Sequence, residues 1–119
     1  MDCLFCKIVE GTIPSRKVYE DDHVLAFEDI QPQAPVHLLV IPKKHIASLN
    51  DAKPEDAELL GRVALAAQRV ARDAGIADSG YRVINNCGKD SGQVVFHIHF
   101  HVLGGEPLGA LVAKSAASG

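Results

Sequence analysis

The chain has 119 residues, the usual size of one domain built around a single hydrophobic core. Apolar residues make up 47% of it and charged residues 23%, which is typical of a globular protein. Its formal net charge of −3 offers no basic surface to nucleic acid, and no apolar run reaches the roughly 18 residues of a membrane span. We therefore expect one domain over residues 1–119, with neither a nucleic-acid nor a membrane partner.

The amino terminus and the cysteines indicate a cytoplasmic protein. The residues from Met1 to Lys7 contain no positively charged segment followed by an apolar stretch, so we do not expect a secretory signal. The chain has three cysteines, and an odd number without an export signal argues against a disulfide framework.

Turn signals divide the chain into short elements. In chain order we predict a helix over 4–10, strands over 17–20 and 23–27 joined by a hairpin turn, a loop over 30–35, a central strand over 36–41, a long helix over 51–75, a strand over 81–86, a glycine-bounded turn over 87–92, a last strand over 94–103 and a soft tail from about 107.

The long helix and the strands around it define the predicted fold class. Pro54 suits a first helical turn, and apolar residues recur at spacings of three and four as far as Gly75, which gives one alanine-rich apolar face. Such a face packs closely on a sheet. Strands outnumber helices and the hairpins are short. We therefore expect an α+β fold with a mainly antiparallel five-stranded sheet, one long helix on one face and a short N-terminal helix.

Three histidines alternate with apolar residues on the last predicted strand. Because successive side chains of a strand point to opposite faces, His97, His99 and His101 line one face, each about 6.5–7 Å from the next. A single histidine on a strand is usually structural, but three with a period of two indicate a functional site. The opposite face, which we expect to be buried, carries Val94, Phe96, Ile98, Phe100 and Val102.

Two kinds of chemistry fit three imidazoles. They could bind a metal, since neutral imidazole is a common ligand and catalytic zinc can use three histidines. Alternatively, one imidazole is a nucleophile and another handles protons. The nucleophile then needs one bare nitrogen and a hydrogen bond that fixes the proton on the other. The residues by themselves leave both possibilities open.

The segment from His97 to Leu103 matches the His-x-His-x-His-x-x motif, with apolar x, of the histidine triad family. Residues 27–46 are similar to the second signature of its Hint branch, and the likeness extends over nearly the whole chain. The resemblance implies an enzyme that hydrolyses the P–N bond of purine nucleoside phosphoramidates, releasing AMP or GMP and an amine. It implies no cofactor for catalysis.

The resemblance also implies a role for four histidines. His99 corresponds to the nucleophile, which forms a covalent nucleotidyl-histidine. His101 corresponds to the residue that contacts the phosphate and the leaving group, and His37 to a fourth histidine that relays to it. His97 corresponds to the residue whose backbone carbonyl accepts the N–H of the nucleophile.

Further residues correspond to the nucleotide-binding positions of the family. In this sequence they are Asp29 for the ribose hydroxyls, Asn85 with the Gly92-Gln93 backbone for the phosphate, and Phe5, Ile8, Ile13, Phe27 and Ile30 for an apolar purine slot. Each also has a plain structural explanation: a solvated turn acid for Asp29, a turn former for Asn85, and ordinary core for the apolar residues.

Val94 departs from the pattern of the animal members, which have a serine after the Gly-Gln pair that bonds the leaving group or the phosphate. Valine cannot donate a hydrogen bond. We expect the rate or the leaving-group preference to differ, and the nucleophile to be unaffected.

Cys3 and Cys6 form a C-x-x-C pair, which is a weak signal by itself. Some bacterial relatives bind structural zinc with such a pair, the histidine of a Pro-Lys-x-His segment and the first motif histidine. The corresponding set here is Cys3, Cys6, His45 and His97, which suits tetrahedral zinc. The alternative is two reduced thiols at a packed N-terminal turn.

The resemblance implies a homodimer whose sheets join edge to edge, through the long helix and the strand after it. The apolar segment 81–84 beside the alanine-rich helix agrees with this expectation. Two other functions remain open: a nucleotide-binding regulatory module with incidental activity, and a zinc-dependent hydrolase that uses the histidine row as metal ligands.

Overall fold

A five-stranded antiparallel sheet forms the centre of the fold. The computed structural model describes residues 3–112. The strands are β1 (Lys17–Glu20), β2 (Val24–Glu28), β3 (Val36–Pro42), β4 (Tyr81–Asn85) and β5 (Phe100–Gly104). Their order in space is β1-β2-β3-β5-β4, and every neighbouring pair is antiparallel. The predicted α+β class and the five-stranded sheet are confirmed.

The short N-terminal helix α1 (Leu4–Glu10) has the predicted bounds. Cys3 caps its start, because the thiol sulfur accepts the backbone N–H of Cys6 at 3.2 Å. Gly11 ends it in the left-handed conformation, with φ at 85°, which glycine adopts without steric cost.

The long helix α2 (Ala57–Asp73) begins six residues later than predicted. Two short 3-10 turns, Leu49–Asp51 and Pro54–Asp56, precede it. Lys53 lies immediately before Pro54, and a residue before proline is excluded from helical backbone, so Lys53 is extended, with ψ at 164°. The Asp56 carboxylate then accepts the Lys53 N–H at 2.9 Å, which caps the turn before α2.

Both faces of the sheet are buried, and the alternation along the strands decides which residue faces which helix. Even-numbered residues of β2 and β3 pack under α2, as predicted for its alanine-rich face, while odd-numbered residues pack under α1. The α2 side contains Val24, Ala26, Leu38, Val40, Val63, Ala67, Val70 and Val102. The α1 side contains Phe5, Ile8, Leu25, Phe27, Leu39 and Ile41.

The prediction of a strand over 94–103 is wrong in its first half. Ladder pairing stops at Phe100, which is opposite Val40 of β3 and Asn85 of β4. Proline at position 42 has no N–H to continue the ladder, and β4 ends at Asn85, so residues 94–99 are not paired to a strand. The expected burial of the even positions fails there too, since Val94 is 84% and Phe96 58% exposed, whereas Ile98 and Val102 are buried.

The predicted tail is described in part. Residues 107–112 form no helix or strand, and the Arg82 guanidinium donates hydrogen bonds to the backbone oxygens of Gly109 and Ala110. The rest of that prediction, over 113–119, lies outside the described residues. Met1 and Asp2, which belong to the segment where we expect no secretory signal, also lie outside them. In the part of the chain that the structure describes, no helix has the length and apolar character needed to cross a membrane.

Candidate active site

A cavity of about 490 Å³ opens on the α1 side of the sheet. Apolar side chains from α1 and β2 form one wall, and the residues around the last two triad histidines form the other end. Its lining includes Leu4, Phe5, Ile8, Ile13, Phe27, Asp29, Ile30, Asn86, Gly92, Gln93, Val94, His99 and His101. The cavity therefore has an apolar slot at one end and imidazoles at the other.

The structure brings the predicted apolar slot residues together, but in two different positions. Phe5, Ile8 and Phe27 are buried and form the wall itself. The Phe5 ring packs edge-on against the Phe27 and His99 rings, with distances between ring centres of 5.5 Å and 5.1 Å respectively. Ile30 is 93% exposed, so it lies at the rim of the cavity. The sequence pattern did not distinguish this exposed rim residue from the buried residues of the wall.

His99 has one ring nitrogen held by the backbone. Its Nδ1 lies 2.8 Å from the carbonyl oxygen of His97. A carbonyl oxygen only accepts, so Nδ1 carries the proton and Nε2 is bare. Since His99 lines the cavity and Nδ1 is engaged, Nε2 is the nitrogen available to a bound molecule.

The structure places Asn86 in the cavity wall where the sequence comparison pointed to Asn85. The Asn85 side-chain amide donates to the backbone oxygen of His99 at 2.9 Å, and its Oδ1 is buried without a partner among the described residues. Asn85 therefore lies beneath His99 and holds its backbone. Matching the family motif does not distinguish two adjacent asparagines. The difference arises from the fold, because β4 ends at Asn85 and Asn86 is the first residue after the strand.

Gly92 and Gln93 lie in the cavity wall as predicted, but their backbone amides already have partners. The Gly92 N–H donates to the Lys89 oxygen and the Gln93 N–H to the Gly88 oxygen. The Gln93 side chain adds a role that the sequence did not reveal. Its amide donates to the oxygens of Ala47 and Val95 and its Oε1 accepts from the Gly88 N–H, so it braces the loop that precedes the triad.

His101, His37 and Asp29 form a hydrogen-bonded row at the polar end of the cavity. The Nε2 atom of His37 lies 2.8 Å from Nδ1 of His101 and 3.3 Å from Oδ2 of Asp29. Burial lowers the pKa of His37, an effect that the Asp29 carboxylate partly opposes. Burial and the neighbouring His99 and His37 rings lower the pKa of His101 to about 4.

The His97 ring points away from the cavity, into a cluster of sulfur and nitrogen donors. It is fully buried, and its Nε2 donates to the Pro42 carbonyl oxygen at 2.8 Å, so its Nδ1 is bare. That Nδ1 lies 3.3 Å from the Cys3 sulfur, 3.5 Å from the Cys6 sulfur and 3.3 Å from Nδ1 of His45. The Cys6 sulfur is 3.3 Å from the same His45 atom.

The spacing of these four donors fits a tetrahedral metal ion. Zinc bonds of about 2.3 Å to sulfur and 2.0–2.1 Å to nitrogen place neighbouring ligand atoms roughly 3.3–3.8 Å apart. All four donor atoms lie within 4.8 Å of one another. The Pro42 carbonyl supplies the hydrogen bond that orients a metal-ligating imidazole.

The three triad rings do not converge on one point. His97 Nδ1 faces the sulfur cluster, His99 Nδ1 faces a backbone oxygen, and His101 Nδ1 faces His37. Among the described residues, two groups of three or more potential ligands are close enough to share a metal, and His99 belongs to neither. This geometry disfavours a metal held by the histidine row.

A family model of the HIT domain matches residues 10–108. The match covers most of the chain, and it includes the histidine row and the cavity residues from Ile13 onward. The chain therefore belongs to the HIT domain family.

Individual relatives agree with this membership. The chain is 48% identical over 112 residues to the purine nucleoside phosphoramidase of Escherichia coli K12, covering 94% of each chain. It is 55% identical over 106 residues to an uncharacterized HIT-like protein of Synechocystis, covering 89% and 92%. A histidine triad protein structure from Clostridium difficile superposes with a TM-score of 0.91 at 49% identity, covering 94% and 97%.

Proposed function

We propose that this protein is a nucleotide-binding hydrolase that cleaves the P–N bond of purine nucleoside phosphoramidates through a nucleotide bound covalently to His99. The observation that carries the proposal is the His99 ring, whose Nδ1–H is donated to a backbone oxygen while Nε2 is left bare in the cavity. The Escherichia coli relative, which is 48% identical to this chain, is named purine nucleoside phosphoramidase.

The reaction divides one displacement into two. In the first step, the lone pair of His99 Nε2 forms a bond to phosphorus, the P–N bond breaks, and the amine leaves with a proton from solvent. In the second step, water attacks phosphorus, the bond to Nε2 breaks, and a proton returns to solvent. The products are a nucleoside monophosphate and an amine, and His99 is regenerated.

The cavity has a matching place for each part of a nucleotide. The apolar slot around Phe5, Ile8 and Phe27 suits a purine ring, and the Asp29 carboxylate can accept hydrogen bonds from ribose hydroxyls. Phosphoryl oxygens would then lie near His99 and His101. Among the described lining residues there is no lysine or arginine, so the side-chain donors that the site offers to phosphate are imidazole, amide and hydroxyl groups, and His101, Asn86 and Ser15 are among the residues that carry them.

The direct test replaces His99 by Ala or Gly and measures hydrolysis of an adenosine phosphoramidate that carries a fluorescent amine. Loss of the nucleophile should lower kcat by at least about a thousandfold. The matched control is His23→Ala, which removes an exposed histidine outside the cavity. Rapid quenching and mass spectrometry should find the nucleotide on the peptide that contains His99. A His99 variant that folds and keeps its rate, or an adduct on another residue, contradicts the proposal.

We also infer that Cys3, Cys6, His45 and His97 hold a structural zinc ion. The donor set and its spacing support this, because two thiols and two imidazole nitrogens at these distances match four-coordinate zinc. A bound ion would join α1, the segment after β3 and the segment before β5. Four protein ligands leave no open position, so zinc here would support the fold and take no part in the chemistry.

We further infer a homodimer. β4 lies at one edge of the sheet, and Val83 on it is paired with Val102, so its side chain is on the α2 side, yet it is 45% exposed. Leu65 of α2 is 65% exposed. An apolar sheet edge of this kind suits a second copy of the chain, as the family resemblance implies. The cytoplasmic location stays a prediction from the sequence.

A further inference from the structure

The two ring nitrogens of His37 have opposite surroundings. Its Nδ1 lies 3.0 Å from the backbone nitrogen of Gln33, in the loop before β3. Its Nε2 faces Asp29 Oδ2 at 3.3 Å and His101 Nδ1 at 2.8 Å. A backbone N–H only donates and an ionised carboxylate only accepts, so Nδ1 is the bare nitrogen and Nε2 carries the proton.

We propose that the backbone N–H of Gln33, together with the Asp29 carboxylate, fixes His37 as a neutral imidazole protonated on Nε2, and that His37 thereby fixes His101 as a neutral imidazole whose N–H points into the cavity. Gln33 and Asp29 are positioning residues in this arrangement, since both act on His101 through His37.

The tautomer of His101 follows from that of His37. The Nε2–H of His37 donates to Nδ1 of His101, so that nitrogen is bare and the His101 proton is on Nε2. His101 lines the cavity, and Nε2 is the ring nitrogen that His37 leaves available. The result is an N–H donor beside the bare Nε2 of His99, whose ring centre is 5.2 Å from that of His101.

The same contacts exclude a second proton on His101. A cationic His101 would need a proton on Nδ1, and His37 Nε2 would then have to accept it. His37 would in turn have to carry its proton on Nδ1, where the Gln33 N–H already points. The Nε2 atom of His37 would then be a bare nitrogen facing the Asp29 carboxylate, so that two acceptors would face each other.

The loop that carries Gln33 is itself tied to His37. The Asp29 N–H donates to the His37 backbone oxygen at 3.0 Å, and Asp29 Oδ1 accepts the Gln31 N–H at 2.8 Å. These bonds fix the carboxylate and the amide of Gln33 on opposite sides of the same ring. The imidazole is therefore oriented from both sides by groups of the same loop.

Among residues 3–112, few charged and titratable groups lie around the His37–His101 pair. His37 faces Asp29 after β2 and His101 on β5, and it lines a second cavity of about 380 Å³ together with Glu28 of β2 and Asp73 of α2. His101 faces His99, His37 and Asp29. Burial lowers the pKa of both imidazoles, in agreement with two neutral rings.

The consequence for the reaction rests on the proposed function. His101 would hydrogen-bond a phosphoryl oxygen or the leaving nitrogen as a neutral donor, and it would not supply a stored proton to the amine. The row of imidazoles then acts as a fixed dipole that orients one N–H.

The first test is a spectroscopic one on the whole protein without substrate, so it is independent of the proposed activity. In ¹⁵N-labelled protein at pH 7, we expect a coupling across the hydrogen bond between the Gln33 amide nitrogen and Nδ1 of His37. We expect a second one between Nε2 of His37 and Nδ1 of His101, with protons on both Nε2 atoms. A proton on Nδ1 of His37, or a cationic His101 at this pH, overturns the proposal.

The second test removes the donor. Gln33→Pro deletes the backbone N–H, whereas the matched control Gln33→Ala deletes the exposed side chain and keeps it. We expect Gln33→Pro to give a mixture of His37 tautomers and Gln33→Ala to give the wild-type spectrum. If the enzyme is active as proposed, kcat should fall roughly two- to tenfold in Gln33→Pro, the range of one hydrogen bond. An unchanged tautomer in folded Gln33→Pro contradicts the role of Gln33.

Discussion

The three triad histidines differ because each ring has a different hydrogen-bond partner beside it. His97 donates from Nε2 to a carbonyl and is left with a bare Nδ1, whereas His99 donates from Nδ1 and is left with a bare Nε2. His101 is bound through Nδ1 to another imidazole. One residue type thus gives a candidate metal ligand, a candidate nucleophile and a hydrogen-bond donor.

Asn85 offers a test at this scale, because its side chain contacts the backbone of His99 and does not line the cavity. Asn85→Ala removes the amide that donates to the His99 oxygen, so His99 should lose part of its positioning. We expect kcat to fall roughly three- to tenfold with little change in KM, the effect of about one hydrogen bond. Steady-state kinetics on an adenosine phosphoramidate measure this.

Asn86→Ala is the comparison, since Asn86 lines the cavity. It should raise KM more than it lowers kcat. If Asn85→Ala raises KM and Asn86→Ala has no effect, the assignment of the two residues is reversed.

Elements that carry their own local signals were predictable. The capped helix α1, the hairpin between β1 and β2 and the apolar strand β3 follow from residues adjacent in sequence. The segment 94–99 was not predictable in the same way, because whether it pairs depends on where β3 and β4 end. Its alternating pattern still identified the histidine row, since His97 and His99 have roles set by tertiary contacts rather than by a ladder.

The cluster of Cys3, Cys6, His45 and His97 could be predicted from the sequence only in part. The C-x-x-C spacing placed two sulfurs on one side of α1, but only the fold brings His45 and His97 to them. The partners of His97 come from three separate segments. A site of this kind is visible in the sequence through a family motif, and its geometry comes from packing.

Cys6→Ser tests the inferred zinc site. Without metal, burial and the neighbouring Cys3 raise the pKa of the Cys6 thiol to about 11, so binding must release a proton, and affinity should fall in acid. Metal analysis of the purified wild-type protein should give one zinc per chain, and Cys6→Ser should lose most of it and unfold at a lower temperature.

The control for Cys6→Ser is Cys87→Ser, a cysteine outside the cluster. Removal of zinc should leave kcat nearly unchanged at temperatures well below unfolding. Wild-type protein that purifies without zinc and does not take it up contradicts the site, and loss of turnover in folded, zinc-depleted enzyme contradicts a purely structural role.

At the scale of the molecule, the two edges of the sheet differ. β1 forms one edge and β4 the other, and α2 covers the strands between them more fully than it covers Val83. If β4 is a dimer edge, the exposed apolar side chains there become buried, and the sheet continues into the second copy.

Val83→Asp should disrupt such a dimer, because it places a carboxylate in an apolar contact. Val18→Asp is the control, since Val18 is similarly exposed, at 40%, on the β1 edge. Sedimentation at micromolar concentration should show a dimer for the wild type and for Val18→Asp, and a monomer for Val83→Asp. A monomeric wild type, or a Val83→Asp variant that stays dimeric, contradicts this interface.

The buried imidazoles also make the stability of the whole molecule depend on pH. The pKa of His101 is about 4 in the folded protein against an ordinary value of 6.5, and the pKa of His37 is lowered as well. Between these values the unfolded chain binds more protons than the folded one, so the free energy of unfolding decreases as the pH falls. The stabilisation is fully present above about pH 6.5 and is lost progressively toward pH 4.

Urea unfolding at several pH values across this range measures the slope, and His101→Asn isolates the contribution of one ring. The variant cannot take up a proton at that position, so its stability should decline less steeply than that of the wild type. Because acid would also release zinc from the inferred site, both proteins are compared with and without a chelator, and the difference between them should persist in each condition. Equal slopes for the two proteins would show that His101 does not titrate differently on unfolding, and that its ring is not held neutral by the fold.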